Sequence, residues 1–144
     1  VSLAANAVMQ NRPAGGSIIS VSSVSGRRPS PGTAAYGAAK AGVDSLTATL
    51  AVEWAPKVRV NAVVAGMVAT EQAELFYGDS ESQAAVAATL PLGRLASPDE
   101  IGWAIAFLAS DAASYISGAT LPVHGGGEPP AFLSASSANT KETR

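Results

Sequence analysis

The sequence contains no cysteine and only one histidine, His124. The lack of cysteine excludes disulfide bonds, thiolate metal sites and a cysteine nucleophile. A single histidine cannot supply a site that needs several imidazole ligands. We therefore expect no metal centre.

Charged residues and long apolar runs are also scarce. Charged side chains make up 14% of the 144 residues, and nine basic against eleven acidic groups give a formal charge of -2. Such a chain offers no basic field for a nucleic-acid backbone or an anionic membrane. No apolar run reaches the roughly 18 residues that cross a bilayer, and residues 1–10 lack the basic start of a secretory signal. We expect a cytoplasmic protein with neither nucleic acid nor membrane as a partner.

Hydrophobic residues supply 47% of the sequence, which is enough for a packed core. Helical and strand patterns alternate along the chain, and this alternation predicts an α/β protein with a parallel sheet and right-handed crossovers. The predicted helices are 1–10, 34–54 and 98–109, and the predicted strands are 17–22, 57–64 and 119–123. Residues 70–90 are expected to be irregular helix. Residues 128–144 are rich in Pro, Ser, Ala and Thr and predict a loose tail after a domain at 1–127.

One group of residues suggests chemistry. Tyr36 and Lys40 are four positions apart in a predicted helix, so their side chains lie on the same face. An ammonium beside a phenol stabilises the phenolate, which makes a tyrosine a usable proton donor and acceptor. Ser23 follows the first predicted strand, and the carboxyl ends of parallel strands line the ligand crevice. A hydroxyl there could hold a substrate oxygen near the phenol.

Several separated motifs carry a resemblance to a known family. They are Gly-Ser-Ile-Ile-Ser-Val-Ser-Ser at 16–23, Ala-Tyr-Gly-Ala-Ala-Lys-Ala-Gly at 35–42, Val-Arg-Val-Asn-Ala-Val at 58–63, and further matches at 91–94, 97–101, 107–111 and 116–118. In this order they resemble the catalytic half of the short-chain dehydrogenase/reductase family over about residues 1–126. The branch looks like the one that includes β-ketoacyl carrier-protein reductases.

This resemblance implies a partial Rossmann-type doubly wound parallel sheet. Three C-terminal strands with their crossover helices would be present, and the N-terminal nucleotide-binding strands would be missing. Neither Gly15-Gly16 nor Gly125-Gly126-Gly127 has the spacing of the glycine-rich turn that holds a dinucleotide pyrophosphate.

The resemblance also implies roles for individual residues. Tyr36 would be the general acid/base, Ser23 would orient the substrate oxygen, and Lys40 would assist Tyr36 and bind the nicotinamide ribose. Gly66, Val68 and Thr70 would contact the cofactor.

Other matches imply structural roles. Asn61 matches a structural asparagine, and Ser22 is expected to be structural because neighbouring strand side chains point to opposite faces. His124 stands where the family commonly has aspartate and is expected at the surface or an interface. Arg27 and Arg28 are expected to be solvated loop residues, although the pair would also suit an anionic substrate such as an acyl-carrier or coenzyme A thioester.

Two functions remain open from the sequence. The first is an oxidoreductase that interconverts a carbonyl and a secondary alcohol with NAD(H) or NADP(H), forms homo-oligomers and takes a small-molecule substrate, with acyl thioesters among the candidates. The second is a truncated, catalytically inactive member of the family that acts at most as an oligomerisation partner.

Overall fold

The computed structural model describes residues 1–136, and their centre is a three-stranded parallel sheet. The strands are β1, Gly16–Ser23; β2, Val58–Ala65; and β3, Thr120–Val123, in the spatial order β1-β2-β3. In the paired register, Ser23 lies beside Ala65, and Ala65 lies beside Val123. All three strands therefore end at the same edge, and the predicted α/β class is confirmed.

The helices alternate with the strands as the sequence predicts. They are α1, Ser2–Gln10; α2, Ala34–Glu53; α3, Ala73–Tyr77; α4, Ser80–Ala88; α5, Pro98–Ala109; and α6, Phe132–Ala135. Helices α3 and α4 lie in the region expected to be irregular helix. Helix α6 lies within the region predicted as a loose tail, and residues 137–144 of that region are outside the described residues.

The central strand β2 is buried because elements cover both of its faces. Its side chains at Val58 and Val60 pack with Trp54 of the α2 end, while Val63 packs with Ile101 and Leu108 of α5. A continuous β-branched run suits such a doubly covered strand. The sheet thus has one core on each side, and its strand ends are free to carry a site.

Helix α5 begins at the capping box that the sequence predicts. The Ser97 hydroxyl accepts a hydrogen bond from the Glu100 N–H, and the Glu100 carboxylate accepts one from the Ser97 N–H. Pro98 occupies the first turn, where a missing N–H costs nothing. These contacts satisfy donors that the first turn would otherwise leave without partners.

Over residues 1–136, no helix is long and apolar enough to span a membrane. Within the same range, histidine and acidic side chains do not gather in groups of three or more that could hold a metal ion.

Candidate active site

Ser23 is the last residue of β1 and is buried at the sheet edge where the strands end. Its Oγ accepts a hydrogen bond from the N–H of Ser25 at 3.2 Å and so caps the 3-10 turn Val24–Gly26. A serine oxygen that accepts in this way still has its own proton to donate. Ser23 is therefore held in place by the backbone with its hydroxyl proton available.

Ser22 has the structural role expected of it. It is almost fully buried, and its Oγ donates to the Lys40 carbonyl at 3.2 Å. This bond joins the end of β1 to the second turn of α2. It fixes the position of α2 along the strand direction of the sheet.

Two glycines let α2 lie directly on the turn that follows β1. A Cβ at Gly37 would lie 2.8 Å from the Ser25 carbonyl oxygen, and a Cβ at Gly26 would lie 2.7 Å from the Ala41 nitrogen. Both distances are too short for a real side chain. This close approach brings the first turn of α2, and Tyr36 within it, next to the end of β1.

Tyr36 and Lys40 lie together on α2, as their spacing predicts. The Lys40 Nζ lies 5.4 Å from the centre of the Tyr36 ring, within the range of a cation–π contact. Nζ also donates a hydrogen bond to the Val21 carbonyl of β1 at 2.8 Å. An ammonium has three donors, so two N–H groups remain for other acceptors. Tyr36 is 49% exposed and is open to a substrate.

The segment after β2 carries the three residues that the resemblance assigns only to the cofactor. A Cβ at Gly66 would lie 2.7 Å from the His124 Cα, and the Gly66 N–H donates to the Val123 carbonyl at 3.0 Å. Gly66 is therefore required for the approach of β2 to the end of β3, a role that the sequence did not suggest.

Val68 and Thr70 follow Gly66 at the same edge of the sheet. Val68 is half-buried and forms an isolated bridge with Ala96. Thr70 is exposed, and its N–H donates to the Val68 carbonyl at 3.0 Å. This backbone contact fixes Thr70 while its side chain stays accessible.

His124 is half-buried at the end of β3, and its backbone packs against Gly66. Its ring lies beside the Gly127 backbone. These contacts give the position a packing role between the strand ends. The expectation that His124 lies at an interface stays a prediction.

The two arginines after β1 are exposed, as the sequence predicts, and each also forms an ion pair. The Arg27 Nε lies 2.9 Å from an Asp44 carboxylate oxygen, and the Arg28 Nε lies 2.6 Å from a Glu128 carboxylate oxygen. The second pair joins the loop after β1 to the segment after β3. Its partners are 100 positions apart in the sequence, so no local pattern could have revealed it.

Tyr77 is the last residue of α3 and is half-buried. Burial raises the pKa of Tyr77, a hydrogen bond from the Val68 backbone lowers it, and the charges of Tyr36, Arg28 and Glu128 act on it more weakly. The sequence places Tyr77 in the region expected to be irregular helix, where it forms with Ala73, Leu75 and Phe76 a candidate apolar lid over a substrate pocket.

Comparison with known proteins gives the family. Residues 1–128 match the enoyl-(acyl carrier protein) reductase family. The chain is 43% identical over 117 residues to Protein FixR of Bradyrhizobium diazoefficiens, covering 80% of this chain and 40% of that protein. It is 48% identical over 113 residues to the cis-4-hydroxycyclohexanecarboxylate dehydrogenase of Sinomonas cyclohexanicum, covering 77% of this chain and 44% of that protein.

Solved structures are also similar to this chain. A short-chain dehydrogenase/reductase from Brucella melitensis matches with a TM-score of 0.71 and 40% identity, over 76% of this chain and 44% of that one. The acetoin dehydrogenase YohF from Salmonella typhimurium matches with a TM-score of 0.75 and 33% identity, over 87% of this chain and 48% of that one. The chain belongs to the short-chain dehydrogenase/reductase family. It spans about half the length of these relatives or less, consistent with the family's C-terminal half.

Proposed function

We propose that the chain carries the catalytic residues of an NAD(P)-dependent oxidoreductase that interconverts a carbonyl and a secondary alcohol. The observation that carries this proposal is the position of Lys40 between the Val21 carbonyl and the Tyr36 ring. A fixed cation beside an accessible phenol favours the charge that the phenol oxygen acquires when it gives up its proton. Tyr36 is thus the proposed general acid/base.

Each residue has a distinct part in carbonyl reduction. Ser23 donates a hydrogen bond to the carbonyl oxygen and holds it toward Tyr36. Tyr36 donates its proton to that oxygen as the carbonyl carbon accepts hydride, and alcohol oxidation reverses both transfers. The nicotinamide, when bound, supplies or accepts the hydride. Lys40 places its positive charge beside the Tyr36 ring in both directions of the reaction.

The residues present are suited to the ribose end of such a cofactor. The two remaining N–H donors of Lys40 match a pair of ribose hydroxyl acceptors. Val68 and the exposed Thr70 lie on the loop after β2, at the edge where the strands end. Ligands of open parallel sheets bind outside this edge. We assign Gly66, Val68 and Thr70 to the nicotinamide side of the crevice.

The names of two relatives support the reaction class. One is a cis-4-hydroxycyclohexanecarboxylate dehydrogenase, and another, 45% identical over 112 residues, is the 3beta-hydroxysteroid dehydrogenase 1 of Eggerthella lenta. Both names describe the oxidation of a ring alcohol. A small molecule with a secondary alcohol or the corresponding carbonyl is the substrate class we propose here.

A second candidate function is association with a homologous subunit without turnover. An apolar groove between α1 and α2 favours it, with Leu3, Leu46 and Trp54 among its lining residues. Leu3 is 76% and Leu46 57% exposed, so much apolar surface is open there. In the described residues, β1 also pairs with a strand on one side only.

Cofactor binding separates the two functions. NADH and NADPH are titrated against the 144-residue chain, and nucleotide fluorescence is followed together with the mass of the species in solution. The oxidoreductase predicts binding in the micromolar range and about tenfold weaker binding by Lys40→Met. Lys57→Met, which removes an exposed lysine before β2, is the matched control and should bind normally. Self-association without binding of either nucleotide would favour the second function.

A further inference from the structure

The loop that leaves β1 is held against α2 by an ion pair. The Arg27 Nε donates a hydrogen bond to an Asp44 carboxylate oxygen at 2.9 Å. Arg27 ends the 3-10 turn Val24–Gly26, which Ser23 begins. Asp44 lies in α2, the helix that carries Tyr36. The pair therefore joins the turn that follows Ser23 to the helix of the candidate acid/base.

Asp44 is more buried than the partner in an ordinary surface ion pair. Its side chain is 18% exposed, against 37% for that of Arg27. Its second carboxylate oxygen is buried, and within residues 1–136 that oxygen has no hydrogen-bond partner. A buried charge without a partner is costly, so the carboxylate depends on the Arg27 guanidinium. Fully exposed ion pairs contribute little, but this one should resist opening.

The turn between Ser23 and Arg27 is short and closely packed. It consists of three residues, and the Ser25 N–H within it donates to the Ser23 Oγ at 3.2 Å. A Cβ at Gly26 would lie 2.7 Å from the Ala41 nitrogen, so the backbone of α2 packs directly on the turn. Because so little chain separates the two residues, a shift of Arg27 away from α2 also shifts the Ser23 hydroxyl.

The other side-chain ties described above act on β1 itself. The Ser22 Oγ donates to the Lys40 carbonyl, and the Lys40 Nζ donates to the Val21 carbonyl. Both fix the strand before Ser23, whereas the ion pair fixes the chain after it. Ser23 is therefore held from both directions, and opening the ion pair releases one of them.

We propose that Arg27 and Asp44 are positioning residues that keep the Ser23 hydroxyl in register with the Tyr36 phenol. They act through Ser23, whose hydroxyl orients the substrate oxygen. A misplacement of about 1 Å can cost up to about 100-fold in rate, so even partial release of the turn should be measurable. This inference rests on the proposed oxidoreductase function and adds to it two residues to which the family resemblance assigns no role.

Turnover of cyclohexanone with NADH or NADPH by the full chain tests the inference. Arg27→Met and Asp44→Asn should each lower kcat about tenfold. Their KM for the nucleotide should stay within about twofold of wild type, because Lys40 keeps its anchor on β1. Arg27→Lys retains a cationic donor for the single hydrogen bond and should recover most of kcat. Arg12→Met, at an exposed turn, is the matched control and should turn over normally.

A double-mutant cycle shows whether the pair acts through Ser23. In the Ser23→Ala background, Arg27→Met should cause no further loss of kcat, because the hydroxyl that it positions is already gone. A merely structural role would instead lower kcat by the same factor in both backgrounds. Equal factors in the two backgrounds, or wild-type kcat in both Arg27→Met and Asp44→Asn, would overturn the inference.

Hydrogen exchange reads the same contact without turnover. The Ser25 N–H is bonded to the Ser23 Oγ, and its exchange rate, measured by NMR, should rise about tenfold in Arg27→Met and stay unchanged in Arg12→Met. An unchanged rate in Arg27→Met would overturn the inference whether or not the chain turns over. Absence of turnover by the wild type, together with faster exchange in Arg27→Met, would defeat the proposed function while supporting the hold of the pair on the turn. The two failures are therefore distinguishable.

Discussion

The ammonium of Lys40 lies 5.4 Å from the centre of the Tyr36 ring and is anchored to β1 through the Val21 carbonyl. One lysine thus joins the helix that carries the phenol to the strand that carries Ser23. Because α2 is also tied to β1 by Ser22, the three candidate catalytic residues share one rigid unit. A fixed arrangement of this kind lowers the cost of reaching the reactive geometry.

Ser23→Ala should affect both activity and stability. Loss of the hydroxyl that orients the substrate oxygen is expected to lower kcat/KM about 100-fold. Loss of the cap on the Ser25 N–H should cost roughly 1 kcal/mol in the free energy of unfolding. Steady-state kinetics and urea unfolding measure the two effects. Ser45→Ala, at an exposed position on α2, should leave the kinetics unchanged and should not lower the free energy of unfolding. Unchanged kinetics in Ser23→Ala would remove it from the site.

Arg59 stabilises the end of α5 and the loop before β3. Its guanidinium donates to the carbonyls of Leu108, Ala109, Ser110 and Ile116 at 2.8 to 3.4 Å. Arg59→Met keeps much of the aliphatic side chain but removes all four of these hydrogen bonds, and we expect it to cost about 2 kcal/mol even though the Leu108, Ser110 and Ile116 carbonyls each keep another donor. Chemical denaturation checks this value. Arg12→Met, at an exposed turn, should stay within about 0.5 kcal/mol of wild type, and an equal loss in both variants would contradict the assignment.

Two glycine-to-alanine substitutions should change the free energy of unfolding in opposite directions. At Gly66 the new Cβ would lie 2.7 Å from the His124 backbone, so Gly66→Ala should destabilise the fold by about 1 to 3 kcal/mol. At Gly102 on α5, the new Cβ would have no heavy atom within 4 Å apart from the helix's own nearby backbone. Gly102→Ala should therefore stabilise the fold by about 1 kcal/mol. Thermal melting compares them directly. A stable Gly66→Ala variant would mean that β2 and β3 do not approach as described.

Glu100 should make stability depend on pH in the acid range. Hydrogen bonds from Arg94 and from the Ser97 backbone lower the pKa of Glu100 from 4.5 to about 2. As the pH falls, the unfolded chain therefore takes up this proton first. The contribution of the Glu100 carboxylate to the free energy of unfolding is fully present above pH 4.5 and is lost as the pH falls toward 2.

Denaturant unfolding of wild type and Glu100→Gln between pH 2 and pH 7 measures this effect. The variant should be less stable at pH 7, and the difference should vanish near the pKa of about 2. Asp99→Asn, in the same helical turn, provides the control. A difference between wild type and Glu100→Gln that stays constant over this range would exclude the carboxylate as its source.

The sequence predicts elements and local pairs because their signals are local. The capping box at Ser97 and the four-residue spacing of Tyr36 and Lys40 each lie within one helix, and the structure has both. The contact of Gly66 with His124 depends instead on the register of β2 and β3. The ion pair of Arg28 and Glu128 requires the loops after β1 and β3 to meet. Such contacts follow from topology and have no periodicity in the sequence.

The central claim is that Tyr36 transfers the proton during turnover. Its most direct test is Tyr36→Phe, assayed with NADH or NADPH and a secondary alcohol or carbonyl substrate, with Tyr115→Phe as the matched control. We expect Tyr36→Phe to lower kcat at least 100-fold while nucleotide binding is largely kept, and Tyr115→Phe to turn over normally. Turnover by Tyr36→Phe at the wild-type rate would contradict it.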